Sequence, residues 1–163
     1  MTIITDEQVA YINNGGVIAY PTSTLPGLGC LPTKEGLDAL FELKSRPPDK
    51  PVSIGVASLD QVAHMVDIDP RIVEFVDAFP RGGLSVIYPA QQSLDARIGG
   101  QSVAIRVFDH PSARALAVAV GPVTATSANE AGEEPANTVA EAASELGLCL
   151  LYTSDAADEP SSV

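Results

Sequence analysis

Histidine and cysteine are scarce, two of each in 163 residues: His64 and His110, Cys30 and Cys149. Two cysteines cannot supply a framework of cross-links, and two distant histidines offer no metal-ligand spacing. Long apolar runs are missing too. Runs such as 16–20 and 84–88 fall far short of the ~20 residues a bilayer-spanning helix needs, and the first residues lack an export-signal pattern. These absences predict an unexported, cytoplasmic protein with no membrane contact. Basic residues are the third shortage: nine Lys and Arg stand against 21 Asp and Glu, a formal net charge of −12. Non-specific affinity for nucleic acid comes mainly from Lys and Arg displacing counterions, so the surface as a whole should repel RNA. Yet three of the nine cations fall within residues 44–50, and in so acidic a chain that cluster demands an explanation.

The hydrophobic content, 45%, suffices for one sizeable core and one domain. Thr5 before Asp6, Glu7, Val9, Ala10 and Ile12 predicts an N-capped amphipathic helix ended by Asn14, Gly15 and Gly16. Residues 17–20 then read as a strand buried on both faces. The hydroxyl- and glycine-rich segment 22–29 follows directly, where α/β folds place ligand-binding loops. Leu37, Leu40, Phe41 and Leu43 recur at helical spacing, and Pro47-Pro48 ends that helix beside the basic cluster. Further on, 52–56, 84–88, 102–107 and 123–126 read as strands, and 59–65, 70–79 and 111–120 as helices. The order of elements is α/β. No repeat, heptad or low-complexity tract interrupts it. Residues 149–159 match one reading frame through a transposase adapter used in sequencing libraries. The native domain is therefore expected to occupy 1–148, with 149–163 a non-native tail to be excluded from fold reasoning.

Four groups of residues have chemistry to offer. Lys44, Arg46 and Lys50 at a helix exit can converge on a polyphosphate; equally, cations at a helix C-terminus complement its dipole. Ser127-Ala128-Asn129, after a strand, presents a hydroxyl and an amide to a ribose, phosphate or carboxylate, or forms a cap or turn. Arg106 alternates onto the face opposite Val103, Ile105 and Val107, and a strand arginine in a sheet core needs an anion, either an internal Asp or Glu or a ligand carboxylate. Thr22, Ser23 and Thr24 with Gly27 and Gly29 form a cradle or a plain turn, matching neither a Walker loop nor a dinucleotide fingerprint. Three isolated residues read as structural. His64 fits a core edge, His110 a helix opening, and Cys30 a small buried hydrophobe.

Together these segments contain P-T-x-T-x-x-G-L-G (21–29), K-x-R-P-x-D-K (44–50), S-V-A-I-R-V-x-x-H-P (102–111) and T-S-A-N (126–129) followed by Gly132. In this combination and order the chain resembles the YrdC/TsaC family of threonylcarbamoyl-adenylate synthases over about nine-tenths of its length. The resemblance implies an open, twisted mixed sheet with flanking helices around a concave cavity. It also implies an ATP-dependent nucleotidyltransferase that joins L-threonine and bicarbonate into threonylcarbamoyl-AMP, releasing pyrophosphate, as the first step toward threonylcarbamoyladenosine in tRNA. A downstream tRNA-modifying transferase complex would be its partner. Carried over residue by residue, Thr24 and Arg106 hold threonine. Lys44, Arg46 and Lys50 take the ATP phosphates, with magnesium riding on those phosphates, and Ser102, Ser127 and Asn129 line the nucleotide side. No covalent nucleophile and no protein metal site is implied; positioning and electrostatic stabilisation carry the chemistry.

Three departures from the family pattern stand out. Pro26 occupies a position usually Tyr or Phe, 80–85 replaces the common P-G-P-x-T turn, and the family's C-terminal Ser or Thr and Arg are absent if the tail is adapter. Two other functions compete. One is a non-catalytic nucleotide- or double-stranded-RNA-binding module with weak RNA affinity; the other is a carbamoyl-adenylate-forming domain related to hydrogenase maturation, whose usual acylphosphatase-like and zinc-finger regions are not in this sequence.

Overall fold

The structure is a computed structural model that describes residues 4–135 and 137–146. The expected boundary between 148 and 149, and the tail beyond it, lie outside the described residues. Among the described residues six strands form one mixed sheet in the spatial order β1 (Ile18–Tyr20), β2 (Gly27–Gly29), β6 (Val123–Ser127), β3 (Ser53–Val56), β5 (Ser102–Val107) and β4 (Ser85–Pro89), and of its neighbouring pairs only β3–β5 is parallel. This is the expected open α/β architecture. No helix among the described residues is long and apolar enough to cross a membrane.

Local chemistry sets the helix boundaries. Helix α1 (Asp6–Asn13) begins with a capping box in which the Thr5 hydroxyl accepts from the Gln8 N–H and the Gln8 side chain accepts from the Thr5 N–H. Strand β1 (Ile18–Tyr20) follows, and then β2 (Gly27–Gly29), a strand where the sequence suggests only a loop. Its glycines are required by close packing: a Cβ at Gly27 or at Gly29 would sit 2.8 Å from the Tyr20 ring. Helix α2 (Lys34–Lys44) is capped by Thr33 and ends in a left-handed Ser45. It turns Leu37, Leu40, Phe41 and Lys44 toward the interior. Strand β3 (Ser53–Val56) comes next. The helix expected over 59–65 is a 3₁₀ turn at Leu59–Val62, and His64, expected at a core edge, is exposed. Four apolar side chains in so short a segment were too little to extend a helix beyond one turn.

Helix α3 (Pro70–Asp77) starts on the Asp69 cap with Pro70 at its first position. Strands β4 (Ser85–Pro89) and β5 (Ser102–Val107) pair antiparallel. Helix α4 (Pro111–Val120) is capped by His110, whose Nδ1 accepts from the Ser112 N–H. Strand β6 (Val123–Ser127) then runs through the middle of the sheet, and α5 (Val139–Glu145) follows.

Pairing register sorts the side chains onto two faces. Ala19, Leu28, Ile54, Val56, Val103 and Ile105 share one face and pack with Leu37, Leu40 and Phe41 of α2 in the larger core. The second face carries Ile18, Tyr20 and Val123, covered at one end by Ile12 of α1 and by Ala113, Leu116 and Ala117 of α4. Farther along that second face stand Gly27, Ala125, Ser127, Ser53, Ser102, Ala104 and Arg106. Small residues there leave room above the sheet, and Arg106 is the long side chain among them.

Candidate active site

Arg106 anchors the open face. Its Nε donates to the Gly82 carbonyl at 3.0 Å and its Nη2 to Thr24 Oγ1 at 3.2 Å. No acidic side chain pairs with it among the described residues, which removes the internal salt bridge as its anion. Thr24 is held in turn by its own loop: Thr22 Oγ1 accepts from the Thr24 N–H at 3.1 Å and donates to the Leu25 carbonyl at 2.5 Å. The loop is therefore a Ser/Thr turn that presents Thr24 to the arginine. A cavity of about 220 Å³ opens beside the pair, with Tyr20, Gly27, Ala125 and Ser127 in its wall. That is below the ~300–1,000 Å³ common for drug-sized ligands, so it suits one small metabolite or one end of a larger molecule. Pro26 also lines it, and Tyr20 supplies an aromatic ring from the strand side.

Ser127 joins this cavity to the basic segment. Its carbonyl accepts a short hydrogen bond from Lys44 Nζ, and Lys44 is 1% exposed. Desolvation, helped by the neighbouring Arg46 charge, lowers the Lys44 amine to about 8. Arg46 folds back on its own turn: Nε donates to the Lys50 carbonyl at 2.7 Å and Nη2 to the Pro51 carbonyl at 2.9 Å. Lys50 is exposed. Of the three cations, then, one points inward, one braces the diproline turn and one faces solvent.

Asn129 is buried, and its Nδ2 donates to the carbonyls of Glu130 (2.9 Å) and Glu133 (2.8 Å). Those two bonds fix the orientation of the amide. Its Oδ1 is left without a hydrogen-bond partner among the described residues, an acceptor that a hydroxyl, an amino group or a water would satisfy. The Ala128 N–H donates to the Pro26 carbonyl at 2.9 Å, so the segment 127–129 touches both the 22–29 loop and the end of α2. Ser102 stands apart: it shares a face with Arg106, yet four residues along the strand separate them by roughly 13 Å, and it does not line the cavity.

Two contributors escaped the sequence. Tyr20 looks like an ordinary core residue, and the Gly82 carbonyl that orients Arg106 carries no sequence signal. Cys30 is buried as expected, and burial pushes its thiol up to about 11, which makes it a poor nucleophile. A larger cavity of about 550 Å³ lies between α3 and the other face of β4 and β5; Gly82, Ile105 and Val107 line it, but none of Thr24, Lys44, Arg46, Lys50, Ser102, Arg106, Ser127 and Asn129 does.

Comparison with known proteins gives one answer. The Sua5/YciO/YrdC family model, described as telomere recombination, matches residues 10–163. A threonylcarbamoyl-AMP synthase from Marinobacter nauticus is 40% identical over 131 residues, covering 77% of this chain and 69% of its own length. The enzyme of the same name from Xanthomonas euvesicatoria pv. vesicatoria is 38% identical over 162 residues, covering 94% and 84%. The crystal structure of P. abyssi Sua5 complexed with L-threonine superposes with a TM-score of 0.77 at 28% identity, covering 84% of this chain and 42% of that one. With segments 21–29, 102–111 and 126–129 contributing to one cavity and Lys44 of the fourth segment bonded to the Ser127 carbonyl, this chain belongs to the Sua5/YciO/YrdC family.

Proposed function

We propose that this chain joins L-threonine, bicarbonate and ATP into threonylcarbamoyl-AMP with release of pyrophosphate, the first step toward threonylcarbamoyladenosine in tRNA. One observation carries the reading: Arg106 stands at a small cavity with Thr24 beside it and no acidic partner among the described residues. A planar guanidinium in that setting matches an amino-acid carboxylate. Relatives at 38–40% identity bear the synthase name, and the P. abyssi relative was crystallised with L-threonine.

In this reading the threonine carboxylate lies on Arg106 and Thr24, and its amine forms a C–N bond to the bicarbonate carbon as a C–O bond breaks and water leaves, giving the carbamate. A carbamate oxygen attacks the α-phosphorus of ATP; a new P–O bond forms as the bond to pyrophosphate breaks and the electron pair leaves on pyrophosphate. Two anions must approach, so the protein's task is to neutralise and align them. Lys44, Arg46 and Lys50 supply the positive charge, Arg46 by turning part of its fork away from the 50–51 carbonyls. The unpartnered Asn129 Oδ1 takes a ribose hydroxyl or the adenine amino group, and Ser127 lies beside it. Ser102 extends the nucleotide side farther along β5.

Magnesium would travel with the phosphates. Among the described residues no group of three or more His, Cys, Asp or Glu is gathered, and a magnesium ion held mainly by phosphate oxygens and water requires no such cage. Its contribution when bound is to offset phosphate charge. The product would pass to a tRNA-modifying transferase in the cytoplasm.

The test is pyrophosphate release from ATP and bicarbonate with L-threonine, L-serine or no amino acid. Threonine-dependent release, lost in Arg106→Ala with the circular dichroism spectrum intact, is the expected result. Release indifferent to the amino acid would refute the assignment.

A further inference from the structure

The end of α2 and the turn after β6 are fastened together by three bonds. The Ala131 N–H donates to the Lys44 carbonyl at 2.8 Å, Lys44 Nζ donates to the Ser127 carbonyl, and Ser45 Oγ donates to Glu130 Oε1 at 3.0 Å. The first two use backbone and a residue already placed in the site. The third joins two side chains to which neither motif assigns a role: Ser45 is the open position of K-x-R, and Glu130 follows T-S-A-N.

Ser45 is the sole non-glycine residue with positive φ among the described residues, at φ 50 and ψ 38. That conformation closes the helix, with the N–H groups of Ser45 and Arg46 donating to the carbonyls of Glu42 and Phe41. Glycine would adopt it without strain. What serine adds is its hydroxyl, and the hydroxyl is spent on Glu130. Strain retained beside a ligand-binding segment is the kind that marks a functional constraint. At the other end, the Glu130 carbonyl accepts from Asn129 Nδ2. The residue gripped by Ser45 is therefore the same one that fixes the Asn129 amide and aims its free oxygen.

From this geometry we infer that Ser45 and Glu130 are positioning residues. They form a latch that sets the spacing between the cationic segment 44–50 and the acceptor Asn129, the two ends of a nucleoside triphosphate in the reading above, on which this inference rests. A carboxylate beside a phosphate site opposes anion binding by its charge, so Glu130 serves there through its hydrogen bond.

The experiment compares Ser45→Ala, Ser45→Gly, Glu130→Ala, Glu130→Gln and the double alanine variant. Two readouts are taken: KM for ATP and kcat in the pyrophosphate assay, and hydrogen exchange of the Ala131 amide without ATP. Each single alanine variant should raise KM for ATP about three- to ten-fold, the worth of one hydrogen bond, with kcat little changed. The double variant should be no worse than either single one. Ser45→Gly should match Ser45→Ala, Glu130→Gln should stay near wild type because it keeps an acceptor, and Ala131 exchange should quicken wherever the latch is cut. If Ser45→Gly behaves as wild type, backbone geometry alone matters and the latch is refuted. A lower KM in Glu130→Gln would also overturn it, by showing that charge is the operative property. Should the wild-type chain release no pyrophosphate, the proposed function fails, while Ala131 exchange still decides the latch: unchanged exchange in Glu130→Ala disposes of it.

Discussion

Replacing Lys44 with methionine keeps a side chain of similar length while removing the buried ammonium. Burial and the Arg46 charge lower the Lys44 amine from lysine's ordinary 10.5 to about 8. Between those values the unfolded chain holds more protons than the native one, so stability is smallest below about pH 8 and rises as pH climbs through the window. At ~1.4 kcal/mol per pH unit the whole window amounts to about 3 kcal/mol. Between about pH 7 and pH 9.5, two-state linkage gives about 2 kcal/mol. The assay is urea unfolding of wild type and Lys44→Met at several pH values across that range. Subtracting the variant removes the titration of every other group. The difference should shift in favour of wild type by about 2 kcal/mol from the lower to the higher pH. A difference that stays flat, or shifts the other way, would show that the amine is not held in a desolvated place and would refute the reasoning. The same linkage reaches function. If Lys44 meets a phosphate as proposed, the phosphate favours the charged amine, so ATP binding would be coupled to proton uptake and should weaken as pH rises past about 8.

Arg106→Lys keeps the charge and loses the fork; KM for threonine should rise about 10- to 100-fold, the worth of one charge-assisted hydrogen bond or two neutral ones, in steady-state pyrophosphate assays. Gly55→Ala would place a Cβ 2.0 Å from the Phe108 ring; calorimetry should record a loss of about 1–3 kcal/mol, and an unchanged melting temperature would contradict that packing. Thr124→Val takes away the hydroxyl that accepts from the Cys30 N–H at 3.0 Å and donates to the Leu28 carbonyl at 3.1 Å. Leaving a buried N–H unpaired should cost about 1–3 kcal/mol, read from the urea midpoint.

Much of the fold could be read locally because the devices that build it are local. Thr5, Asp69 and His110 each accept from a backbone N–H at the start of the helix they open, and such caps leave a sequence trace. Strand β2 left none. Gly-Leu-Gly has poor strand propensity and becomes a strand because Tyr20 needs the space above two glycines. Sheet order was out of reach for a related reason: β2 pairs with β6 about 100 residues away, and no turn signal encodes that register. In the site, alternation along β5 was enough to place Arg106 on the face opposite the valines and isoleucine. The resemblance put Thr24 beside it, but its other partner, the Gly82 carbonyl in the irregular 80–83 segment, was not legible.

The basic segment shows how far helical spacing alone can go. Three cations in seven residues look like one cluster, and the structure divides it. Leu37, Leu40 and Phe41 define the buried stripe of α2, and Lys44, seven residues past Leu37 and four past Leu40, continues that stripe. A lysine there must carry its amine through apolar surroundings to a polar partner on the far side. The partner is the Ser127 carbonyl, at the end of β6 where the acceptor-bearing turn begins. Arg46 and Lys50 lie beyond the helix and escape that periodicity. The buried stripe that packs α2 on the sheet thus also delivers one ammonium to the Ser127 carbonyl at the end of β6, which ties core packing to the segment that lines the cavity. An apolar residue at position 44 should therefore leave the domain folded while removing the innermost cation of the proposed phosphate site.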